Sequence, residues 1–262
     1  MFGYYRLASA VPQLRIADVD YNVDRLIAGF REASEKQAAA VVFPELSITG
    51  YSCGDLFFQP RLRQAALEGL RRFTEATEKS GTVAIVGLPF LYGDALYNTA
   101  AVVQAGRVLA LVPKTMLPNY REFYEKRQFT SARALGTGTR EITVNGAQVP
   151  FGTDIVFHDM SSPFSFGVEI CEDLWSVIPP SSTLALHGAR AILNPSAGTE
   201  LTGKAAYRRE LVKQQSGRCL CAYALSSAGV HESTTDVVFG GHCLIAVSYT
   251  HLRAHETDQY LV

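Results

Sequence analysis

The chain has 262 residues, 47% of them hydrophobic and 19% charged, with a formal net charge of −1. That balance describes a globular protein with a sizeable core, and it lacks the basic excess of a nucleic-acid binder. No apolar run reaches the roughly 18 residues that span a bilayer. Met1-Phe2-Gly3-Tyr4-Tyr5-Arg6 also lacks the charged and apolar regions of a signal peptide, so the expected compartment is the cytosol, with no membrane and no nucleic acid among the partners.

In chain order, Tyr5 to Ala10 predicts a short strand leading to Pro12. Asp18, Asp20 and Asn22 supply cap-type residues before a helix from about Val23 to Gln37, with Leu26, Ile27 and Phe30 as its apolar stripe. Ala38 to Phe43 is a small and β-branched run, the pattern of a strand covered on both faces, and it ends at Pro44-Glu45. Gly50, Gly54 and Asp55 predict a loop, and Arg61 to Lys79 a helix with Leu62, Ala66, Leu70 and Phe73 inward. Val83 to Leu88 is another buried strand. Tyr92-Gly93-Asp94 turns into a strand from Tyr97 to Gln104, and Ala105-Gly106 predicts a hairpin into Arg107 to Val112, which delivers Pro113-Lys114.

Aromatics and charges crowd Tyr120 to Phe129, and Gly136, Gly138 and Gly146 mark loops. Phe164, Phe166, Val168 and Ile170 alternate with small or polar residues, the period of a half-buried strand, and the alternation stops at Cys171. A short helix ends over Leu184 to Gly188. Ala191 to Leu193 is a buried strand finishing at Asn194-Pro195-Ser196-Ala197, and a helix from about Tyr207 to Gly217 precedes a strand from Cys219 to Leu225. Alternating strands and helices with paired hairpins imply a layered α/β architecture.

The five cysteines, at 53, 171, 219, 221 and 243, include no C-x-x-C pair, so neither a disulfide framework nor a zinc ribbon is expected. Cys219 and Cys221, one residue apart, are read as packing residues sharing a strand face. The six histidines form no metal-ligand spacing, and no metal site is expected.

Three apolar strands end on chemistry: Glu45, Lys114 and Cys171. Singly, a glutamate or lysine after proline is commonly a solvated loop residue, and a free cysteine is commonly a buried structural one. Together, at the carboxyl edges of separate strands, they form a set: a carboxylate to take a thiol proton, an ammonium to hold an oxyanion, a thiol to attack an amide or nitrile carbon. A free thiol titrates near ~8.5, and Lys114 and Glu45 are expected to assist its ionisation.

Phe43-Pro44-Glu45-Leu46, Pro113-Lys114 and Glu169-Ile170-Cys171-Glu172-Asp173-Leu174-Trp175 resemble the Glu-Lys-Cys signature of the nitrilase, or carbon-nitrogen hydrolase, superfamily. Ser47-Ile48-Thr49-Gly50-Tyr51-Ser52-Cys53-Gly54-Asp55-Leu56-Phe57, Leu117 to Arg127 and Glu232-Ser233-Thr234-Thr235-Asp236 are similar, more narrowly, to the glutaminase domain of glutamine-dependent NAD synthetases. The resemblance implies a nitrilase-like αββα four-layer sandwich over residues 1–246. It also implies Glu45 as general base, Lys114 as oxyanion stabiliser, Cys171 as nucleophile, and Glu125 as a second glutamate orienting the lysine and substrate. The backbone N–H of Glu172 would be a further oxyanion donor, and Tyr120 and Ser196 match glutamine-pocket positions, with a core-aromatic reading of Tyr120 left open.

The implied reaction is hydrolysis of L-glutamine through a cysteine thioester. The ammonia would pass to a C-terminal synthetase domain, the part of such proteins that uses ATP and Mg, and this domain would need no cofactor of its own. No Ser-Gly-Gly-x-Asp-Ser loop of that domain occurs here. Homo-oligomer formation is a further implication. Two other readings stand beside this one: a free-standing amidase or carbamoylase using the same trio, and a noncatalytic assembly module. Residues 247–262 depart from the family pattern and resemble a translated sequencing-adaptor peptide, so their histidines are not read as a metal site, and the sheet is expected to want its closing strand.

Overall fold

A computed structural model describes residues 4–247. The unusual tail expected over 247–262 therefore lies outside the described residues apart from Val247.

The first sheet holds β1 (Leu7–Ser9), β2 (Ala40–Val42), β3 (Val83–Tyr92), β4 (Ala95–Gln104), β5 (Arg107–Pro113), β6 (Arg140–Val144) and β7 (Ala147–Phe151), in the order β1-β2-β3-β4-β5-β7-β6. The second holds β8 (Phe157–His158), β9 (Ser165–Val168), β10 (Ala191–Ser196), β11 (Ala222–Ser227) and β12 (Cys243–Ala246), in the order β12-β11-β10-β9-β8. Helices α1 (Val19–Glu35) and α2 (Pro60–Ala76) pack on the first sheet, and α3 (Pro180–Leu186) and α4 (Lys204–Cys219) on the second.

Alternation along the strands shows why these are four layers. Ala40 and Val42, Val83 and Ile85, and Ala100 and Val102 share one core with Phe166, Val168, Ala191, Leu193 and Ala224 of the other sheet. Their neighbours Val41, Ala84, Val86 and Ala101 face Leu26, Phe30, Leu70 and Phe73 of α1 and α2. Across the second sheet, Ile192, Tyr223 and Leu225 meet Leu184 and Val212 of α3 and α4. A stretch of strand covered on both faces reads as a continuous apolar run, and Ala40–Val42 of β2, Val83 to Leu88 of β3 and Ala191 to Leu193 of β10 are of this kind. The architecture is the expected αββα sandwich.

Several local expectations are corrected. The strand before Cys171 is not half-buried: Ser165 and Gly167 are buried as well, because α3 lies on that face, and a Cβ at Gly167 would stand 2.8 Å from Leu184. Cys219 and Cys221 do not share a strand face. Cys219 is the last residue of α4, and Leu220 caps that helix in the left-handed region at φ 51° before β11 begins. The glycine-marked stretch after Gly136 contains the β6–β7 hairpin, turned by Asn145 and Gly146 at φ 48° and 82°. An Asn-Gly pair between alternating residues is itself a hairpin signal.

Candidate active site

The strands place Glu45, Lys114 and Cys171 at neighbouring ends. β2 and β3 are parallel, and β5 returns to the same direction after two antiparallel pairings, so Glu45 and Lys114 leave the same edge of the first sheet. β9 and β10 run parallel in the second sheet and carry Cys171 and Ser196 at their ends. The stretch after β2 is pressed onto β3. A Cβ on Gly87 would lie 2.1 Å from the Leu46 nitrogen, so only glycine fits there, and Leu46 itself is left-handed at φ 52°.

Lys114 is fully buried and donates to Glu45 Oε1 at 2.5 Å and to Glu125 Oε1 at 2.7 Å, both carboxylates being buried too. Burial alone would strip the proton from such an ammonium, but Glu125 and Glu45 outweigh it and hold the group well above its ordinary value. Burial pushes Glu125 up to about 7, with Lys114 opposing and Glu45 adding. Asn98 Nδ2 donates to the same Glu45 oxygen at 2.6 Å, and the hydroxyl of the half-buried Tyr51 donates to Glu125 Oε1 at 2.7 Å. Glu45 Oε2 is buried and has no protein partner. One oxygen of Glu45 is thus committed to holding the lysine, and the other is left to exchange a proton.

Cys171 is tied to the same place from the second sheet. Its Sγ accepts from the Ala197 N–H at 3.4 Å, while the Glu45 N–H donates to the carbonyl of the preceding residue, Ser196, at 3.2 Å. Its backbone is left-handed at φ 45°, an uncommon state for a side chain with a Cβ and one that costs on the order of 1–3 kcal/mol. The Asn194 Oδ1 atom, accepting from the Cys171 N–H at 2.9 Å, helps to hold it. Burial raises the thiol above its ordinary range and Glu45 raises it further; Lys114, Ser196 and the Ala197 N–H oppose. The balance at rest thus runs against the assisted ionisation expected from Lys114 and Glu45, because Glu45 adds to the effect of burial and Lys114 does not offset it.

The remaining expected residues gather around this centre. Glu125 begins a short 3-10 turn over Glu125–Arg127. Glu172 is half-buried and accepts from the Tyr120 hydroxyl at 3.0 Å. Tyr120 is 51% exposed, which removes the core-aromatic reading.

Four residues that sequence reasoning gave no role also belong here. Asn98 and Tyr51 brace the two glutamates. Asp173, buried and pushed up to about 7, accepts from the N–H groups of Thr115 (3.1 Å), Met116 (2.7 Å) and Ile170 (2.9 Å), clasping the Lys114 segment to the Cys171 segment. Lys204 stands over the rings of Phe123 (5.9 Å) and Trp175 (5.5 Å). Burial and Arg208 lower it, while Cys171, Glu122 and Glu172 pull it back, which places an ammonium in the field of the thiol. Asn98 left a trace in the sequence, as an amide inside an otherwise apolar strand. Lys204 left none, being one of several basic residues near that helix.

Among the described residues no group of three or more His, Cys, Asp or Glu could hold a metal ion, and no helix is long and apolar enough to cross a membrane.

The sequence profile described as carbon-nitrogen hydrolase matches residues 6–249. The glutamine-dependent NAD(+) synthetase of Mycobacterium tuberculosis is 40% identical over 245 residues, covering 93% of this chain and 36% of that protein. The chain thus spans little more than a third of that relative's length. A crystal structure of a glutamine-dependent NAD(+) synthetase from Cytophaga hutchinsonii superposes with a TM-score of 0.82 at 28% identity, over 93% of this chain and 39% of the other. An amidase from Nesterenkonia sp. superposes at 0.71 with 20% identity, over 95% and 84% of the two chains, a likeness of fold.

Proposed function

We propose that this chain, which belongs to the carbon-nitrogen hydrolase family, hydrolyses the side-chain amide of L-glutamine to glutamate and ammonia through a thioester on Cys171. The observation that carries the reading is the buried Lys114 ammonium shared by Glu45 and Glu125 beside the left-handed Cys171. The names of the relatives support glutamine as the substrate.

In this reading, Glu45 Oε2 takes the Cys171 proton as sulfur bonds to the amide carbon. Lys114 and the Glu172 backbone N–H hold the oxyanion, one such donor typically being worth ~3 kcal/mol of barrier. Collapse breaks the C–N bond, with Glu45 returning the proton to the leaving ammonia. Water, losing a proton to Glu45, then attacks the thioester, and glutamate leaves as the proton goes back to sulfur. Glu125 keeps Lys114 in place. Tyr120 and Ser196 line the pocket, and Lys204 receives the α-carboxylate of glutamine at the mouth, a charge that a simple amide lacks. The domain uses no cofactor. The ammonia serves a synthetase domain, where ATP and Mg are consumed to make NAD, in a cytoplasmic homo-oligomer.

The test is turnover and trapping. Incubation with glutamine should release ammonia and glutamate in equal amounts, and rapid acid quench should show one glutamyl group on the Cys171 peptide. Release from uncharged amides but not from glutamine would sink the substrate assignment, and turnover by the Cys171→Ala variant would sink the mechanism.

A further inference from the structure

Behind the nucleophile, on the α3 and α4 side of the second sheet, a file of buried polar groups crosses three adjacent strands. Glu169, 1% exposed and just past β9, accepts from the Ser181 N–H at Oε2 (2.7 Å) and from the Tyr223 hydroxyl at Oε1. Tyr223, on β11 and fully buried, accepts in turn from Asn194 Nδ2 at 2.8 Å. Asn194, on β10 and fully buried, presents Oδ1 to the Cys171 N–H at 2.9 Å. None of these three side chains has a part in the steps above.

We infer that Glu169, Tyr223 and Asn194 are positioning residues whose hydrogen bonds run in one fixed direction, and that this direction holds Cys171 in its left-handed, attack-ready conformation. Both ends of the file are obligate. The Cys171 and Ser181 N–H groups can only donate, and Glu169, pushed up to about 7 by burial, is above that pH a carboxylate that accepts on both oxygens. The Tyr223 proton therefore points to Glu169, its lone pair is left for Asn194 Nδ2, and the Asn194 amide is turned with its oxygen toward Cys171. A buried file with one consistent direction leaves no group unpaired, whereas reversing any member strands a donor against a donor. The inference rests on Cys171 being the nucleophile.

Direction makes the idea testable by exchanging the ends. In Glu169→Gln, the amide oxygen must serve Ser181, so its NH2 meets Tyr223, the tyrosine proton turns to Asn194, and the flipped amide sets an NH2 against the Cys171 N–H. In Asn194→Asp, one tyrosine proton is left between two carboxylates. The double variant E169Q/N194D restores complementarity with every bond reversed between them: Gln NH2 to Tyr223, Tyr223 to Asp, Asp still accepting from Cys171.

Two readouts are needed, both at about pH 8 where Glu169 is ionised: glutamine turnover, and the rate at which iodoacetamide alkylates Cys171, followed by peptide mass. Each single variant should lower kcat and the alkylation rate about tenfold with KM within about twofold, and the double variant should recover at least about threefold over either single. A double variant no better than the product of the singles, or an unperturbed Glu169→Gln, would overturn the inference. If the unsubstituted chain hydrolyses no glutamine, the functional reading fails while the alkylation series still decides this one. Should Glu169→Gln not fold, Tyr223→Phe cuts the file at its middle, and an unchanged alkylation rate there would overturn the inference equally.

Discussion

Lys114 Nζ lies 2.5 Å from Glu45 Oε1 with neither side chain reaching solvent, and the two come from strands 69 positions apart in sequence. A pair so placed is coupled to folding as well as to chemistry. Removing one partner leaves an uncompensated buried charge, a loss on the order of 3–5 kcal/mol. Lys114→Met should therefore shift the denaturant midpoint strongly and abolish turnover, whereas Cys171→Ala should abolish turnover with little change in midpoint. A Lys114→Met protein as stable as the parent would contradict the burial of this pair.

Lys204 should separate binding from chemistry. Lys204→Met is expected to raise KM for glutamine about tenfold or more while leaving turnover of a short uncharged amide within about twofold, because only glutamine carries a carboxylate for the ammonium to meet. Equal losses on both substrates would move Lys204 out of the substrate site and make it a support for the rings of Phe123 and Trp175.

The clasp made by Asp173 joins the segments bearing Lys114 and Cys171 through three backbone donors. Asp173→Asn cannot accept all three as placed, and one of its oxygens is replaced by an NH2 facing an N–H. A loss of about ten- to a hundredfold in kcat is expected from misplacement of about an ångström, read by steady-state kinetics. Retention of full kcat would show that the sheets alone set the spacing.

Stability should fall as pH rises through neutrality. Burial pushes Glu169, Asp173 and Glu232 each up to about 7, against unfolded values near ~4. Between those values the native chain holds more protons than the unfolded one, so the contribution is full below about 4 and is lost on passing 7. Thermal unfolding followed from about pH 5 to about pH 8 should show a falling midpoint; a rising one would mean that these carboxylates are stabilised as anions.

Gly87→Ala tests the close approach that seats Glu45. The added carbon would collide with the Leu46 backbone, so the Glu45 segment must move or the strand must bend. We expect both lower thermal stability and reduced turnover, the latter recovered by no change in substrate concentration.

The sequence by itself determined the layers and the strand ends that carry Glu45, Lys114 and Cys171. Apolar runs such as Ala38 to Phe43 and Val83 to Leu88 can be stable only with cover on both sides, and Glu45, Lys114 and Cys171, each following an apolar run, mark the strand ends where a charge can be met by a partner. Local rules served less well where the deciding contact was distant. Cys219 was assigned to a strand, although the preceding helix extends through it and a left-handed Leu220 makes the break. Ser165 and Gly167 looked solvent-facing because nothing nearby in sequence says that α3 lies on them.

Only the tertiary structure decided the electrostatics and the bracing. Whether Cys171 rests as thiol or thiolate depends on how deeply Glu45 and Lys114 are buried with it, and a sequence carries no depth. The roles of Asn98, Asp173, Tyr223 and Lys204 follow from hydrogen bonds and charges that reach across strands, helices and sheets, and direction and distance of that kind exist only once the chain has folded.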